Sequence, residues 1–370
     1  MNINILGGGN VALATAGYLR HHGNNVTFIR RNKPAQRKRL IVHYQTPDHS
    51  FTDNVEITQV PTLSDAQKYD LMLICISAQG HSEVGKTING YHQNGAPIVF
   101  FPGKFASSHL LHSVLDKESN VGEVSSSLFH AEATDEGELE VRIKNKKSHL
   151  EYAGVQQNGI TSETLQMLKH LFGEDSFVDG VHPIRVALQN HDYTLNSVAI
   201  LENENVANNS APHPNYFGPV EIGLYGNLGR IATQTMERIY CVREEIAKKL
   251  GFTLSSMEQW LRDLNPNAKA DMKLPSLFLN SYFGGKKLIN VYTDRRLTED
   301  VPFGLVPLET IARAMNVDPR PVSEVIELAN AMYERGQRRK NLQESHTRFD
   351  FRDHGLQANL EKYICSIHRK

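Results

Sequence analysis

Apolar residues follow two different patterns along this chain of 370 residues. In the first half they form short continuous runs, such as Tyr69 to Ser77 and Ala96 to Phe101. Runs of this kind are typical of central strands in a parallel sheet, which are buried on both faces. The first half is therefore predicted to be an α/β domain. Its predicted strands are Ile3 to Leu6, Val26 to Ile29, Tyr69 to Ser77, Ala96 to Phe101, Val124 to Phe129 and Glu138 to Ile143.

From about Arg185 the strand patterns give way to long helical ones. We predict a Rossmann-type, doubly wound parallel sheet domain at residues 1–183 and a mostly α-helical C-terminal domain at 184–370. The polar and basic end of the chain is expected either to pack as a helix near Asn359 to Ile367 or to stay loose. The predicted helices of the second domain are Ala187 to Asn208, Tyr225 to Leu250, Leu254 to Leu261, Pro307 to Met315 and Val322 to Arg335.

Composition narrows the class of protein. The hydrophobic fraction is 40% and the charged fraction 22%, as in an ordinary soluble globular protein. A net charge of −1 argues against nucleic-acid binding, and no apolar run is long enough to span a bilayer. The three cysteines are far apart and predict no metal site. With no secretory pattern before the first strand, we expect a cytoplasmic protein whose oligomeric state is open, a homodimer included.

A glycine motif follows the first predicted strand. Gly7, Gly9 and Ala12 stand in the G-x-G-x-x-A arrangement at the start of a helical pattern. In dinucleotide-binding domains the first glycine permits the tight turn and the second lets a pyrophosphate approach the backbone, while a small third residue lets helix and strand pack closely. The free N–H groups of the helix favour the anion. We predict cofactor contacts from Gly7, Gly9, Asn10 and Ala12.

Two arginines follow the second predicted strand, where an acid would hydrogen-bond the ribose 2′-OH of NAD. Arg30 and Arg31 could instead hold a 2′-phosphate, so NADP(H) is favoured over NAD(H). An arginine can also stack on the adenine without contacting the phosphate, which keeps NAD(H) open. The basic residues that follow, as far as Arg39, are predicted to lie on a solvated helix face.

The loops after the next two strands are predicted to reach the same cofactor. Ligands of open α/β sheets lie beyond the carboxyl ends of the strands. Ser77 and Gln79 follow one central strand, and Pro102 and Gly103 follow the next. We expect these four residues to contribute to the dinucleotide site.

Two stretches of the predicted helical domain contain residues that could carry catalysis or substrate binding. His213 lies between Pro212 and Pro214, and an imidazole is well suited to proton transfer near neutral pH. From spacing alone, a surface or structural histidine in a proline loop is the favoured interpretation. The second stretch runs from Thr293 to Gly304: an arginine there could bind a carboxylate, and an aspartate could hold a histidine tautomer. A capped helix start is the alternative for this stretch.

Together these residues resemble the opine dehydrogenases of the octopine/nopaline dehydrogenase type. The resemblance spans most of the chain. It rests on G-G-G-N-x-A at Gly7 to Ala12, P-G-K at Pro102 to Lys104, the pair His213-Pro214, and R-x-L-T-E-D-V-P-F-G-L-V-P-L from Arg295 to Leu308.

The resemblance implies a Rossmann domain, a helical domain and an active site in the cleft between them. It implies that an amine condenses with a 2-oxo acid and that hydride from the nicotinamide reduces the imine. By position, His213 would be the general acid/base, Asp300 would hold it, and Arg295 would bind the oxo-acid carboxylate. Arg296 replaces the family's tyrosine, and it would either accept an extra carboxylate or face solvent.

Two other classes remain open. A simple NAD(P)-dependent hydroxyacid or polyol-phosphate dehydrogenase could share this domain plan, and it would reduce its substrate without an amine. A non-catalytic dinucleotide-binding protein would bind the cofactor without turnover.

Overall fold

A computed structural model describes most of the chain as two compact units, Met1–Ala187 and Leu188–Lys370. Within the described ranges no helix is long and apolar enough to cross a membrane. The described residues are 1–31, 33–46, 49–66, 68–88, 91, 95–105, 107–115, 119–134, 139–155, 159–204, 223–225, 228–263, 268–280, 292, 294–339 and 350–354.

The first unit is built on one sheet of 11 strands. Its order is β11-β10-β7-β6-β5-β1-β2-β4-β3-β9-β8. The strands are β1 Asn2–Leu6, β2 Asn25–Ile29, β3 Gln36–Gln45, β4 Ser50–Val60, β5 Leu71–Ile74, β6 Ile98–Phe100, β7 Val121–Val124, β8 Phe129–Thr134, β9 Leu139–Lys146, β10 Leu150–Gly154 and β11 Phe177–Asp179.

The central strands, β4-β2-β1-β5-β6-β7, are all parallel. This is the doubly wound order of dinucleotide-binding domains, in which the chain direction across the sheet reverses beside β1. Register aligns Leu6 with Ile29 and Ile74, and then Phe100 with Glu123, in one row across the carboxyl edge. The loops after β1, β2, β5 and β6 therefore leave the sheet at the same edge. The predicted fold class is confirmed.

Helices pack on the sheet. Their bounds are α1 Asn10–His21, α2 His81–Ile88, α3 Ser107–Val114 and α4 Gly159–Phe172, and α5 Pro183–Gln189 follows at the boundary between the two units. The glycine within α1, Gly17, brings this helix against β3, since a Cβ there would lie 2.6 Å from Val42 Cγ2. Leu13 and Leu19 of α1 are buried in the core that this packing closes.

Two predictions for the first unit are wrong. Val124 to Phe129 is not a strand; it links the end of β7 to the start of β8, and these strands lie at distant positions in the sheet. Of the basic run that ends at Arg39, the residues Arg37, Lys38 and Arg39 lie on β3 rather than on a helix. The physical reason is the alternation that follows, because Leu40, Val42 and Tyr44 are buried while their neighbours are more exposed.

The second unit is helical in its described residues, apart from an isolated bridge residue. The predicted helix from Ala187 to Asn208 is interrupted: α5 ends at Gln189, and Asn190 Oδ1 accepts the Asp192 N–H at 2.8 Å to begin the next helix. The predicted terminal helix lies outside the described residues. The helices are α6 Asp192–Glu202, α7 Arg230–Lys249, α8 Met257–Asp263, α9 Leu274–Asn280, α10 Arg295–Thr298, α11 Val306–Ala314 and α12 Arg320–Arg339, with the π-helix Val301–Leu305 before α11.

A short segment near the end of the chain docks on the last two helices. Arg352 makes two parallel hydrogen bonds to the buried carboxylate of Glu309, Nε to Oε2 at 2.8 Å and Nη2 to Oε1 at 2.9 Å. Phe351 is buried, and its N–H donates to Asn330 Oδ1 at 3.0 Å. We call Arg352 and Glu309 the C-terminal clamp. The clamp fixes residues 350–354 against α11 and α12.

Candidate active site

The turn after β1 requires glycine at its first position. Gly7 has a φ of +147°, and a Cβ on it would lie 2.2 Å from the carbonyl oxygen of Cys75. Its N–H donates to Ile29 O at 3.1 Å, so the turn is tied to both neighbouring strands. The same Cβ position is 3.3 Å from Cβ of Ala12, which explains the small residue one helical turn later. This turn has no room for a side chain.

The second glycine of the motif faces open space. Gly9 caps α1 in extended conformation, without a side-chain hydrogen bond, and no atom lies within 4 Å of its Cβ position. Asn10, the first residue of α1, is exposed. The start of this 12-residue helix therefore presents backbone N–H groups to solvent at the carboxyl edge of the sheet. Such a helix start favours a phosphate.

The two arginines after β2 differ in their surroundings. Arg30 lies across the glycine turn, with Nε 3.0 Å from the Cβ position of Gly8. Arg31 points outward with 77% of its side chain exposed, and Nη1 lies 2.9 Å from Oε1 of Glu83. Glu83 belongs to α2, which follows β5, on the opposite side of β1 from β2. The Arg31–Glu83 ion pair thus spans the edge at which an adenosine would enter.

The loops after β5 and β6 reach the same edge. Ser77 and Gln79 are exposed, and Ser77 begins a single 3₁₀ turn that leads into α2. Pro102 is half-buried after β6. Gly103 is fixed by packing, because a Cβ there would lie 2.6 Å from Cβ of Glu123. The close packing against Glu123 is therefore enough to explain the glycine, whether or not a ligand also approaches it.

Glu123 is a buried carboxyl group that the sequence reading missed. It ends the row of residues at the carboxyl edge and accepts the Ser108 N–H at 2.8 Å, at the start of α3. Burial raises the pKa of Glu123 to about 7, against the opposing effect of the Ser108 hydrogen bonds. A single acid inside the apolar run V-G-E-V was the available signal.

In the second unit, the segment that begins at Arg295 exposes one arginine to solvent and pairs the other with an aspartate. Arg295 is 78% exposed, and its Nη1 lies 3.9 Å from Glu299. Arg296 is 19% exposed and is held by Asp294, which accepts from its Nη1 at 2.6 Å and from its backbone N–H at 2.9 Å. Arg296 therefore does not simply face solvent. Of these two arginines, Arg295 is the one with an exposed guanidinium, and it interacts with Asp300 and Glu299, which are both buried.

Asp300 is held by an amide on α6. Asn196 Nδ2 donates to Asp300 Oδ2 at 2.7 Å, and Asn196 Oδ1 accepts the hydroxyl proton of Tyr225. Burial raises the pKa of Tyr225, so its hydroxyl stays protonated and able to donate. Asp300 is thus connected to Tyr225 through Asn196, and no sequence pattern singled out either residue.

The glycine of the P-F-G stretch has a packing role. A Cβ on Gly304 would lie 2.3 Å from Cβ of Tyr193, so the π-helix crosses α6 in close contact. This contact brings the Arg295–Asp300 segment to the helix that carries Asn196. His213, the predicted acid/base, lies outside the described residues, and its pairing with Asp300 stays a prediction. Among the side chains that the structure does describe, no cluster suited to a metal ion is found.

Comparison with known proteins adds to this geometry. Residues 183–333 match the model of the NAD/NADP octopine/nopaline dehydrogenase alpha-helical domain, and residues 3–151 match that of ketopantoate reductase PanE/ApbA. A protein of Arthrobacter sp. (strain 1C) named opine dehydrogenase is 24% identical over 336 residues, which cover 89% of each chain. The chain is an oxidoreductase that is similar to the opine dehydrogenases over most of its length.

Solved structures share the fold of this chain at low sequence identity. A structure of octopine dehydrogenase in complex with NADH and agmatine has a TM-score of 0.73 at 16% identity, over 90% of each chain. Yersinopine dehydrogenase with bound NADP⁺ has a TM-score of 0.74 at 14% identity, over 100% of this chain and 99% of the other. These neighbours hold different nicotinamide dinucleotides. A nicotinamide dinucleotide cofactor is supported for this chain, without a preference between NAD and NADP.

Proposed function

We propose that this dehydrogenase catalyses the NAD(P)H-dependent condensation of an amine with a 2-oxo acid. The amine nitrogen adds to the oxo carbon and water leaves, which gives an imine. Hydride from the dihydronicotinamide then adds to the imine carbon and a proton to its nitrogen, giving a secondary amine dicarboxylate when the amine is an amino acid. Residues 1–183 would bind the dinucleotide and residues 184–370 the substrates. The observation that carries the proposal is the exposed Arg295 beside the buried Asp300, in the segment that resembles the opine dehydrogenases.

On the cofactor side, we propose that NADP(H) is preferred over NAD(H). The glycine turn and the exposed start of α1 suit the pyrophosphate. Arg30 lies against this turn, and Arg31 stands at the edge of the same crevice. A guanidinium binds a phosphate with two parallel hydrogen bonds, which a ribose hydroxyl cannot match. The dinucleotide would also be contacted by Asn10, Ser77, Gln79, Pro102 and Gly103.

On the substrate side, Arg295 is proposed to bind the oxo-acid carboxylate. Its side chain is exposed, and its partner Glu299 is no closer than 3.9 Å. Arg296 is a weaker candidate for a second carboxylate, since its ion pair with Asp294 would have to open first. His213 is proposed to transfer the protons of the condensation, with Asp300 holding its ring.

The first test is a matrix of amines and 2-oxo acids with NADPH and NADH, followed by absorbance at the dihydronicotinamide band. The proposal expects oxidation only when both substrates are present. His213→Ala should lower kcat by at least about a hundredfold, the usual scale for losing a general acid/base. His112→Ala, which changes a histidine on the other unit, is the matched control. Normal turnover in His213→Ala would remove that residue from the mechanism.

A second candidate is a simple reductase of 2-oxo acids. The match of residues 3–151 to ketopantoate reductase favours it for the first unit. Such an enzyme would reduce a 2-oxo acid to a 2-hydroxy acid with no amine in the assay. Omitting the amine therefore separates the two candidates in one measurement. Binding of the dinucleotide without oxidation by any substrate pair would instead indicate a binding protein.

A further inference from the structure

The carboxyl edge of the sheet in the first unit divides into two halves. In the doubly wound order, β4, β2 and β1 form one mononucleotide-binding half, and β5, β6 and β7 form the other. The glycine turn and the two arginines after β2 belong to the first half, which would receive the adenosine. The second half would therefore receive the nicotinamide, between the loops after β5 and β6.

Four buried polar side chains lie at the second half of this edge. His81 begins α2, Ser107 and Ser108 begin α3, and Glu123 lies on β7. Each of the four is at most 3% exposed. We call these four residues the edge network. Burying polar groups costs free energy unless they are hydrogen-bonded, so their contacts fix the backbone around them.

Glu123 supports the loop after β6. A Cβ on Gly103 would lie 2.6 Å from Cβ of Glu123 and 3.0 Å from its carboxyl carbon. The Gly103 N–H donates to Val124 O at 2.9 Å, so the loop is tied to the end of the strand that carries this acid. Oε2 of Glu123 accepts the Ser108 N–H at 2.8 Å, in the first turn of α3. One side chain thus contacts both the glycine of the loop and the helix that follows it.

The start of α3 differs in this respect from the start of α1. The N–H groups of a helix start favour an anion. Gly9 leaves the start of α1 open, whereas the start of α3 already has the carboxyl group of Glu123 as an acceptor. Of these two helix starts, α1 is the one available to a phosphate, and α3 uses its own acid to fix the neighbouring loop.

Ser107 connects the loop after β6 with the helix that follows β5. Its Oγ accepts the Lys104 N–H at 2.9 Å and donates to Lys104 O at 3.0 Å. Nδ1 of His81 lies 2.9 Å from the same oxygen, and the His81 ring packs on Phe100 with ring centroids 4.6 Å apart. Burial lowers the pKa of His81 to about 3, so the ring is neutral at ordinary pH. The loop after β5, which leads into α2, is thus joined to the loop after β6.

We infer that the edge network positions the loops after β5 and β6 to receive the nicotinamide half of the dinucleotide. This inference rests on the proposed function, in which these two loops contact the dinucleotide. Glu123 is on this account a positioning residue that acts through Gly103 and the start of α3. Without its carboxyl group, a space opens beside Gly103 and the buried N–H of Ser108 loses its acceptor. The loop is then free to shift away from the ligand.

The test separates the two halves of the dinucleotide. Isothermal titration calorimetry measures the Kd for NADPH and for 2′,5′-ADP, which carries the adenosine half without a nicotinamide. Glu123→Ala should raise the Kd for NADPH about tenfold and that for 2′,5′-ADP less than about twofold. NADH and 5′-ADP form a second pair, so the result does not depend on which dinucleotide is preferred. Equal losses for dinucleotide and fragment, or no loss for either dinucleotide, would overturn the inference.

Two further variants separate position from charge. Glu123→Gln has a similar size and keeps an oxygen that can accept the Ser108 N–H, so it should bind NADPH within about twofold of the unsubstituted protein. Gly103→Ala should repeat the loss of about tenfold, because its methyl group pushes the loop away from Glu123 without removing the acid. A Glu123→Gln protein that binds NADPH as weakly as Glu123→Ala would overturn the inference, since charge rather than position would then matter.

Thr164→Val is the matched control for a general loss of stability. Thr164 is buried on α4, and its hydroxyl oxygen accepts from Asn120 Nδ2 at 2.7 Å, just before β7 and thus at the opposite edge of the sheet. We expect this variant to unfold at lower urea concentration and to keep both Kd values. If its Kd for NADPH alone rose as in Glu123→Ala, any loss of stability would give the same pattern, and the inference would be overturned.

These binding measurements need no turnover, which separates the inference from the proposed function. If the unsubstituted protein binds NADPH but oxidises it with no amine and oxo acid, the proposed function fails, and the Glu123 variants still decide the inference. If the unsubstituted protein binds neither NADPH nor NADH, both are overturned.

Discussion

The glycine turn after β1 and the Arg295–Asp300 segment are built in opposite ways. The turn is made of backbone: Gly7 fits because nothing larger can pass Cys75 O, and Gly9 leaves N–H groups open at the helix start. The second segment is made of side chains brought from separate parts of the unit, including Asn196 and Tyr225. A backbone site is specified by a few consecutive residues. A side-chain site of this kind is specified by tertiary packing.

The largest expected effect is the loss of stability on substituting Gly7, the first glycine of the turn after β1. Gly7→Ala should lower the free energy of unfolding by about 3 kcal/mol, because the methyl group meets a backbone oxygen and φ is positive. Gly9→Ala should change that free energy by less than about 1 kcal/mol, since its surroundings are open, yet raise the Kd for NADPH at least about tenfold. Urea unfolding and fluorescence titration measure the two quantities. Equal stability losses in both variants would remove the distinction between the two glycines.

The substrate segment should respond in binding rather than in stability. Arg295→Ala is expected to raise the KM for the oxo acid by about 10- to 100-fold, the scale for losing hydrogen bonds to a charged group. Its exposed side chain contributes little to folding, so the unfolding midpoint should not move. Arg238→Ala is a suitable control, since Arg238 forms an exposed ion pair with Glu324 in the same unit. An unchanged KM would mean that the carboxylate binds elsewhere.

The arginines after β2 should differ from each other. Arg30→Ala is expected to weaken NADPH binding about tenfold more than NADH binding, because Arg30 lies against the turn. Arg31→Ala should have a smaller effect, as its guanidinium is already paired with Glu83. Glu83→Gln frees Arg31 and should tighten NADPH alone. Titrating each variant with both dinucleotides checks this, with Glu132→Gln, from the exposed pair with Lys144, as the control.

The smallest expected effect is on the pH dependence of stability, to which the C-terminal clamp contributes. Burial alone would raise the pKa of Glu309, but hydrogen bonds from Arg352, Ser323 and Arg313 outweigh it and lower the pKa from 4.5 to about 2. Because the pKa of Glu309 is lower in the folded state than in the unfolded state, its ionised form stabilises the fold at pH values above 4.5. This stabilisation is lost as the pH falls from 4.5 toward 2. Glu309→Gln should therefore flatten the acid dependence of the urea midpoint. The same slope in both proteins would contradict the clamp.

The sequence was sufficient wherever structure is local. The turn after β1 could be predicted from Gly7, Gly9 and Ala12, because its geometry depends mainly on residues that are close in sequence. The polar strands β3 and β4 were missed, since one is highly charged and their pairing partners are far away in sequence. Asn196 and Tyr225 gave no signal, because what they do depends on Asp300, which lies 104 residues beyond Asn196 in the chain.

Arg296 is a second residue whose contacts could not be predicted from the sequence. The family pattern identified it as a departure, and chemistry alone suggested an extra carboxylate or a solvent-facing side chain. The structure pairs it with Asp294. Which partner a charged side chain takes depends on the acids that folding brings near it, and spacing does not contain that information.

The central claim is tested most directly by following the hydride. NADPH carrying deuterium at the transferred C4 position is incubated with a 2-oxo acid and an amine, and the products are separated and weighed by mass spectrometry. The account predicts one deuterium on the carbon next to the new secondary amine nitrogen. Deuterium in a 2-hydroxy acid, formed equally well without the amine, would contradict it.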